Sequence, residues 1–127
     1  MDKMLDRVFG VSAAIRYVAF YTEGRLMSAA RPGLENASAA ESDRYEELLV
    51  NPTLLTLARQ RGNIDCGGLE FLLVRYGSFY ELIWPLAAGH LSIGVEPTAD
   101  PLSLLPGVRA LADALDGEHL PAPSSLA

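Results

Sequence analysis

Residues 69–96, LEFLLVRYGSFYELIWPLAAGHLSIGVE, decide the fold. Three runs rich in β-branched and aromatic residues, 69–76, 79–86 and 90–96, are separated only by Gly77-Ser78 and by Ala87-Ala88-Gly89. Such runs read as strands, and connections this short join antiparallel neighbours. Pro85 falls near the end of the middle run, where a residue that cannot donate to a ladder is tolerated. In the last run Leu91, Ile93 and Val95 alternate with His90, Ser92, Gly94 and Glu96; in the first, Phe71 and Leu73 oppose Leu72 and Val74. The sheet is therefore expected to be apolar on both faces, and to need cover on both.

Upstream, residues 15–21 (IRYVAFY) read as another strand, with Glu23-Gly24 as a two-residue hairpin turn and 25–30 as the return strand. Pro32-Gly33 ends it, and 33–40 (GLENASAA) is loop. Met4, Leu5 and Val8 predict a two-turn opening helix that stops near Gly10. Ser42 and Asp43 can cap a middle helix through Tyr45, Leu48 and Leu49. Asn51-Pro52 interrupts it, 54–61 resumes it, and Gly62-Asn63 closes it; one kinked helix and two short ones both fit.

Downstream, Asp100-Pro101 is a strong helix start, followed at helical spacing by Leu102, Leu105, Val108, Leu111, Ala112 and Leu115. Pro106 is expected to confine the regular part to the second half, and Gly117 to stop it. The predicted order is α-β-β-α-β-β-β-α. This is an α+β domain over residues 1–116, with a flexible tail at 117–127. Its five-stranded antiparallel sheet has the first and last helices on one face and the middle helix on the other.

The 127 residues have room for one core. Half are apolar, a fifth are charged, and the net charge of −6 is scattered along the chain. No basic cluster offers itself to phosphates or anionic lipid, so nucleic acid and membrane are not expected partners. The first residues carry charge where a signal peptide needs an apolar run, and no apolar stretch is long enough to span a bilayer. A single cysteine, Cys66, cannot form an intrachain disulfide. The expectation is a cytoplasmic protein.

The middle helix carries the feature that suggests a partner. On a wheel of about 100° per residue, Tyr45, Leu48, Leu49, Pro52 and Leu55 form one apolar stripe, and Val50, Leu54, Leu57 and Ala58 a second, roughly opposite. A helix lying on its own sheet needs one buried stripe; the second then calls for another chain. The alternative is that Pro52 resets the register, so that each half turns a different face to the same core. Tyr45, Leu48, Leu49, Val50, Leu54 and Leu57 are the candidate partner-binding residues.

Catalytic and metal constellations do not assemble. Cys66 lacks a base, since His119 falls in the tail and nothing pairs His90 with it; the expected role of Cys66 is that of a small buried apolar residue. Glu46 and Glu47 are adjacent, point to different sides of an ideal helix, and read as a solvated face. Gly62, Gly67 and Gly68 lack the strand–loop–helix context of a phosphate loop. Trp84, Phe79 and Tyr80 read as core, with an aromatic-lined ligand pocket as the alternative, and Glu81 and Arg75 as a cross-strand ion pair. No enzyme activity, metal or cofactor is expected.

The opening helix into Phe9-Gly10-Val11, the hairpin tip Tyr21-Thr22-Glu23-Gly24-Arg25-Leu26, and Ser92-Ile93-Gly94-Val95-Glu96-Pro97 leading to a helix that ends Leu111-Ala112-Asp113-Ala114-Leu115 form a pattern. With Ile15-Arg16-Tyr17-Val18 and Val74-Arg75-Tyr76, it resembles the roadblock / dynein light chain superfamily, whose fold is profilin-like, and in particular its prokaryotic members. The broken middle helix and the longer loop at 32–41 depart from the commonest pattern. The resemblance implies a non-catalytic homo- or heterodimer that pairs through the middle helix and the adjacent sheet edge. Many such proteins scaffold or regulate small Ras-like GTPases. A small-molecule sensor holding a ligand between sheet and helix is the alternative.

Overall fold

The structure is a computed structural model and describes residues 3–119. Helix α1 (Lys3–Phe9) precedes a hairpin of β1 (Ile15–Thr22) and β2 (Arg25–Ala30). The turn between them has positive φ at both Glu23 (51°) and Gly24 (79°), the geometry whose twist matches that of the flanking strands. Then come α2 (Ala40–Tyr45), a π-helical turn (Glu46–Val50) and α3 (Asn51–Asp65), which run on without a break as one middle helix. Strands β3 (Leu72–Arg75), β4 (Tyr80–Leu86) and β5 (Gly89–Val95) follow, then a 3-10 turn (Pro101–Leu104) and α4 (Leu105–His119).

All strand pairings are antiparallel, in the order β2-β1-β5-β4-β3, so β5 is central and β2 and β3 are edges. One face carries the apolar core: Val18 and Phe20 of β1, Leu82, Trp84 and Leu86 of β4, and Leu91, Ile93 and Val95 of β5 pack with Leu5 and Val8 of α1 and Val108, Ala112 and Leu115 of α4. Each such side chain contributes about 1.5–3 kcal/mol when fully withdrawn from water. The middle helix lies on the opposite face. The predicted element order, sheet and two-sided cover are all present.

Several boundaries differ, for identifiable reasons. Strand β3 begins at Leu72 rather than 69, because Gly67 and Gly68 take positive φ (81° and 89°) while the Gly68 N–H bonds the Gly62 carbonyl at 3.0 Å. That carbonyl also receives Cys66 N–H, so the helix ends at Asp65, beyond Gly62-Asn63. The middle helix starts at Ala40, which leaves Ser42 and Asp43 inside its first turn rather than capping it. Asp100 does cap the 3-10 turn, accepting from Leu102 N–H at 3.0 Å. Helix α4 continues through Gly117 to His119; residues 120–127 of the predicted tail lie outside the described residues.

Pro52 bends the rules without breaking the helix. A proline lacks the N–H, and its ring crowds the carbonyl four residues back, here that of Leu48. The chain widens by one residue just before it: Asn51 N–H reaches the Glu46 carbonyl five residues back, a π-type bond. The helix is continuous, and the wider turn rotates its residues less per step.

The face beneath the middle helix is polar, contrary to expectation. In register across the sheet, Tyr17 and Glu81 flank Gly94, and Tyr21 and Pro85 flank His90; Ala19 and Ile83 flank Ser92. Glu81, His90 and Ser92 are buried there under the helix.

Candidate functional site

The middle helix turns Glu47, Asn51 and Leu55 down onto the sheet, a buried row at four-residue spacing that spans both sides of Pro52. The proline therefore does not turn the two halves of the helix differently. Neither apolar stripe is that row: of the first, only Leu55 is buried, and of the second, Val50 and Ala58 are half-buried while Leu54 and Leu57 are exposed. Tyr45 and Leu57 are 60% exposed and Leu49 50%; Leu48 and Leu54 are also exposed, and Val50 is half-buried. Leu48, Leu49, Pro52, Thr53, Thr56 and Leu57 line a shallow groove on this outer face.

Between helix and sheet lies an acidic seam that the sequence did not reveal. Glu47 is fully buried, and its Oε1 sits 2.8 Å from His90 Nε2 and 3.0 Å from Asn51 Nδ2. Asn51 Nδ2 also reaches Ser92 Oγ at 3.5 Å, and the Ser92 hydroxyl bonds Glu81. The Tyr76 hydroxyl donates to Glu46. One carboxylate oxygen from each of Glu46, Glu47 and Glu81 lies within 4.8 Å of the others. Even at 4.8 Å two ionised carboxylates repel by about 3 kcal/mol at an effective dielectric near 20, and Glu46 and Glu81 meet by a hydrogen bond that needs a proton on one of them.

The seam shifts its own ionisation. Burial, then the charges of Glu46 and Glu47, hold the Glu81 carboxyl well above the usual carboxylate range. Burial also raises Glu46, against the Tyr76 hydroxyl, which lowers it. The phenols of Tyr17 and Tyr76 are pushed far up, each by burial first and then by Glu47 and Glu46 respectively. Glu46 and Glu47 are thus no solvated face. In the wide π turn both can incline toward the sheet, whereas an ideal α-helix would splay them.

Other expectations are corrected too. Glu81 faces Val74 across the ladder and does not meet Arg75, whose guanidinium stacks 4.7 Å over Tyr80. Cys66 is exposed, not buried, and its thiol contacts Asp65 Oδ1 at 3.3 Å. Trp84 is core, stacked on Phe71 at 5.7 Å, with Arg109 over its ring. The enclosed space beside Tyr17, Phe79 and Glu81, bounded also by Leu34 and Ala37 of the loop, is about 40 Å³, room for water, while a larger cleft of about 500 Å³ lined by Phe79, Tyr76 and Val50 lies open to solvent. Among the described residues no helix is long and apolar enough to cross a membrane.

No protein-family model matches the sequence, and no curated protein does. Solved structures match it in shape. A Roadblock/LC7 domain from Streptomyces avermitilis superposes at a TM-score of 0.69 with 15% identity, covering 93% of this chain and 96% of that one. The chain has the roadblock fold. Two further neighbours in shape are an MglB with a tetrameric arrangement (TM-score 0.70, 9% identity, 91% and 84% covered) and Myxococcus xanthus MglB (0.67, 8% identity, 93% and 95% covered). This version of the roadblock fold combines an apolar outer helix face with a buried acidic seam directly behind it.

Proposed function

We propose that the chain is a non-catalytic protein-interaction module that works in the cytoplasm as a homodimer, pairing through the outer face of the middle helix. Tyr45, Leu48, Leu49, Val50, Leu54 and Leu57 form that contact, and the edge strand β3, tied to the helix through Tyr76 and Glu46, extends it. The observation that carries the reading is the exposed row itself: large apolar side chains gathered along one helix mark an interaction surface.

The dimer serves as a scaffold or regulator of a small Ras-like GTPase. This part rests on the resemblance to roadblock proteins and on the shape shared with MglB. Light scattering after gel filtration tests the dimer: twice the chain mass at tens of micromolar supports it, and a strict monomer overturns it. Measuring GTP hydrolysis and nucleotide exchange by Ras-like GTPases of the same cell, with and without the chain, tests the partner.

A further inference from the structure

We propose that Glu46, Glu47 and Glu81 bind one hard divalent cation between the middle helix and the sheet. Three observations converge on this. The first is the cluster: three carboxylate oxygens from a helix and a strand lie within 4.8 Å of one another. Oxygens on opposite sides of a calcium ion stand roughly 4.6–5.2 Å apart and neighbouring ones closer, so a cluster no wider than 4.8 Å can close around such an ion.

The second is independent of that proximity. Glu47 and Asn51 are both fully buried, yet Glu47 Oε2 and Asn51 Oδ1 have no hydrogen-bond partner among the described residues. An orphaned buried acceptor is costly and rare. Glu47 commits Oε1 to His90 and Asn51, and the Tyr17 phenol also reaches its carboxylate, yet Oε2 keeps no close partner. The Asn51 amide is oriented by its Nδ2 contacts to Glu47 and Ser92, so its carbonyl oxygen is a further buried acceptor next to Glu47.

The third is charge. Among the described residues no arginine or lysine is ion-paired with any of the three acids; Arg16, which lines the neighbouring cavity, is held by Glu96 at 3.1 Å. His90 Nε2 is occupied by Glu47, so the donors on offer are all oxygens, which suits a hard cation and not zinc. Glu46 lines an open cleft with Tyr76, Ser78 and Phe79, which gives an ion a way in from solvent.

The test uses the full chain after treatment with a chelator. Titration with calcium chloride by calorimetry should show one ion per chain and a raised thermal midpoint. Terbium chloride, a calcium surrogate, should show emission excited through tyrosine, from Tyr76 or Tyr17 beside the acids, and excess calcium should quench it. Glu46→Gln and Glu81→Gln should each weaken binding at least ten-fold, while Glu41→Gln, an exposed acid on α2, should leave it unchanged. Should Glu81→Gln not fold, Glu46→Gln, half-buried at the rim, decides alone. A folded wild-type chain that shows no saturable calcium binding at millimolar concentration overturns the proposal, as does equal affinity in Glu46→Gln. The site lies within one chain, so its failure leaves the dimer reading untouched, and a monomer can still bind the ion.

Discussion

His90 Nε2, on the central strand, lies 2.8 Å from Glu47 Oε1 on the middle helix, with both side chains withdrawn from water. This contact braces the helix against the sheet where an apolar core would ordinarily do so. Removing one partner of a buried polar pair strands the other, at a cost of about 3 kcal/mol or more. His90→Ala should therefore lower the stability measured by urea unfolding at neutral pH by about that amount. A loss below about 1 kcal/mol would show that the contact braces nothing.

Leu49 and Leu57 stand out into solvent, so replacing them removes little from the subunit's own packing. Leu49→Asp with Leu57→Asp should convert the dimer to a monomer in sedimentation velocity, and shift the unfolding free energy of the subunit by no more than about 0.5 kcal/mol per site. Retention of the dimer in the double variant would move the interface elsewhere.

Glu81 holds its proton more tightly folded than unfolded. Such a group favours the folded state below its unfolded value, and that stabilisation fades as pH rises toward the raised folded value. Chelator-treated protein should accordingly lose denaturant resistance as pH climbs above the ordinary carboxylate range, and Glu81→Gln, which has no proton to give up, should lose less over the same span. Parallel pH curves for the two would contradict the assignment.

Gly89 opens β5 directly opposite Thr22, and a Cβ there would stand 1.8 Å from the Tyr21 carbonyl oxygen. Backbone cannot yield as a flexible side chain can. Gly89→Ala should force β1 and β5 apart and cost about 3 kcal/mol, the upper range for overpacking, read as a lowered thermal midpoint. An unchanged midpoint would mean the two strands separate freely at this end.

The fold was legible because its signals are local. Glu23-Gly24 announces a hairpin, Asp100-Pro101 a helix start, and the runs around Leu82 and Ile93 their strands. The exposed leucines of the middle helix were legible as candidates, though not which of them faces outward, because the wheel assumes one angular step throughout. The acidic seam was illegible for the same reason: Glu46 and Glu47 meet Glu81 only after a π turn that no residue pattern marks except Pro52 downstream. Burial of His90 and Ser92 depends on what covers alternate positions of β5, and that is decided by partners far away in sequence.

The widened turn also makes the helix one residue longer than a regular one covering the same distance. Deleting exposed Leu48 would let residues 40–65 wind as ordinary α-helix, and four residues at about 100° each sweep nearly the arc that five sweep in the wide turn, so the segments on either side would keep their facing. Only the acids inside the turn would change, with Glu46 and Glu47 splaying as neighbours in a regular helix do. A single codon thus separates this chain from a sibling with the same sheet, the same remaining outer leucines and a looser meeting of the carboxylates.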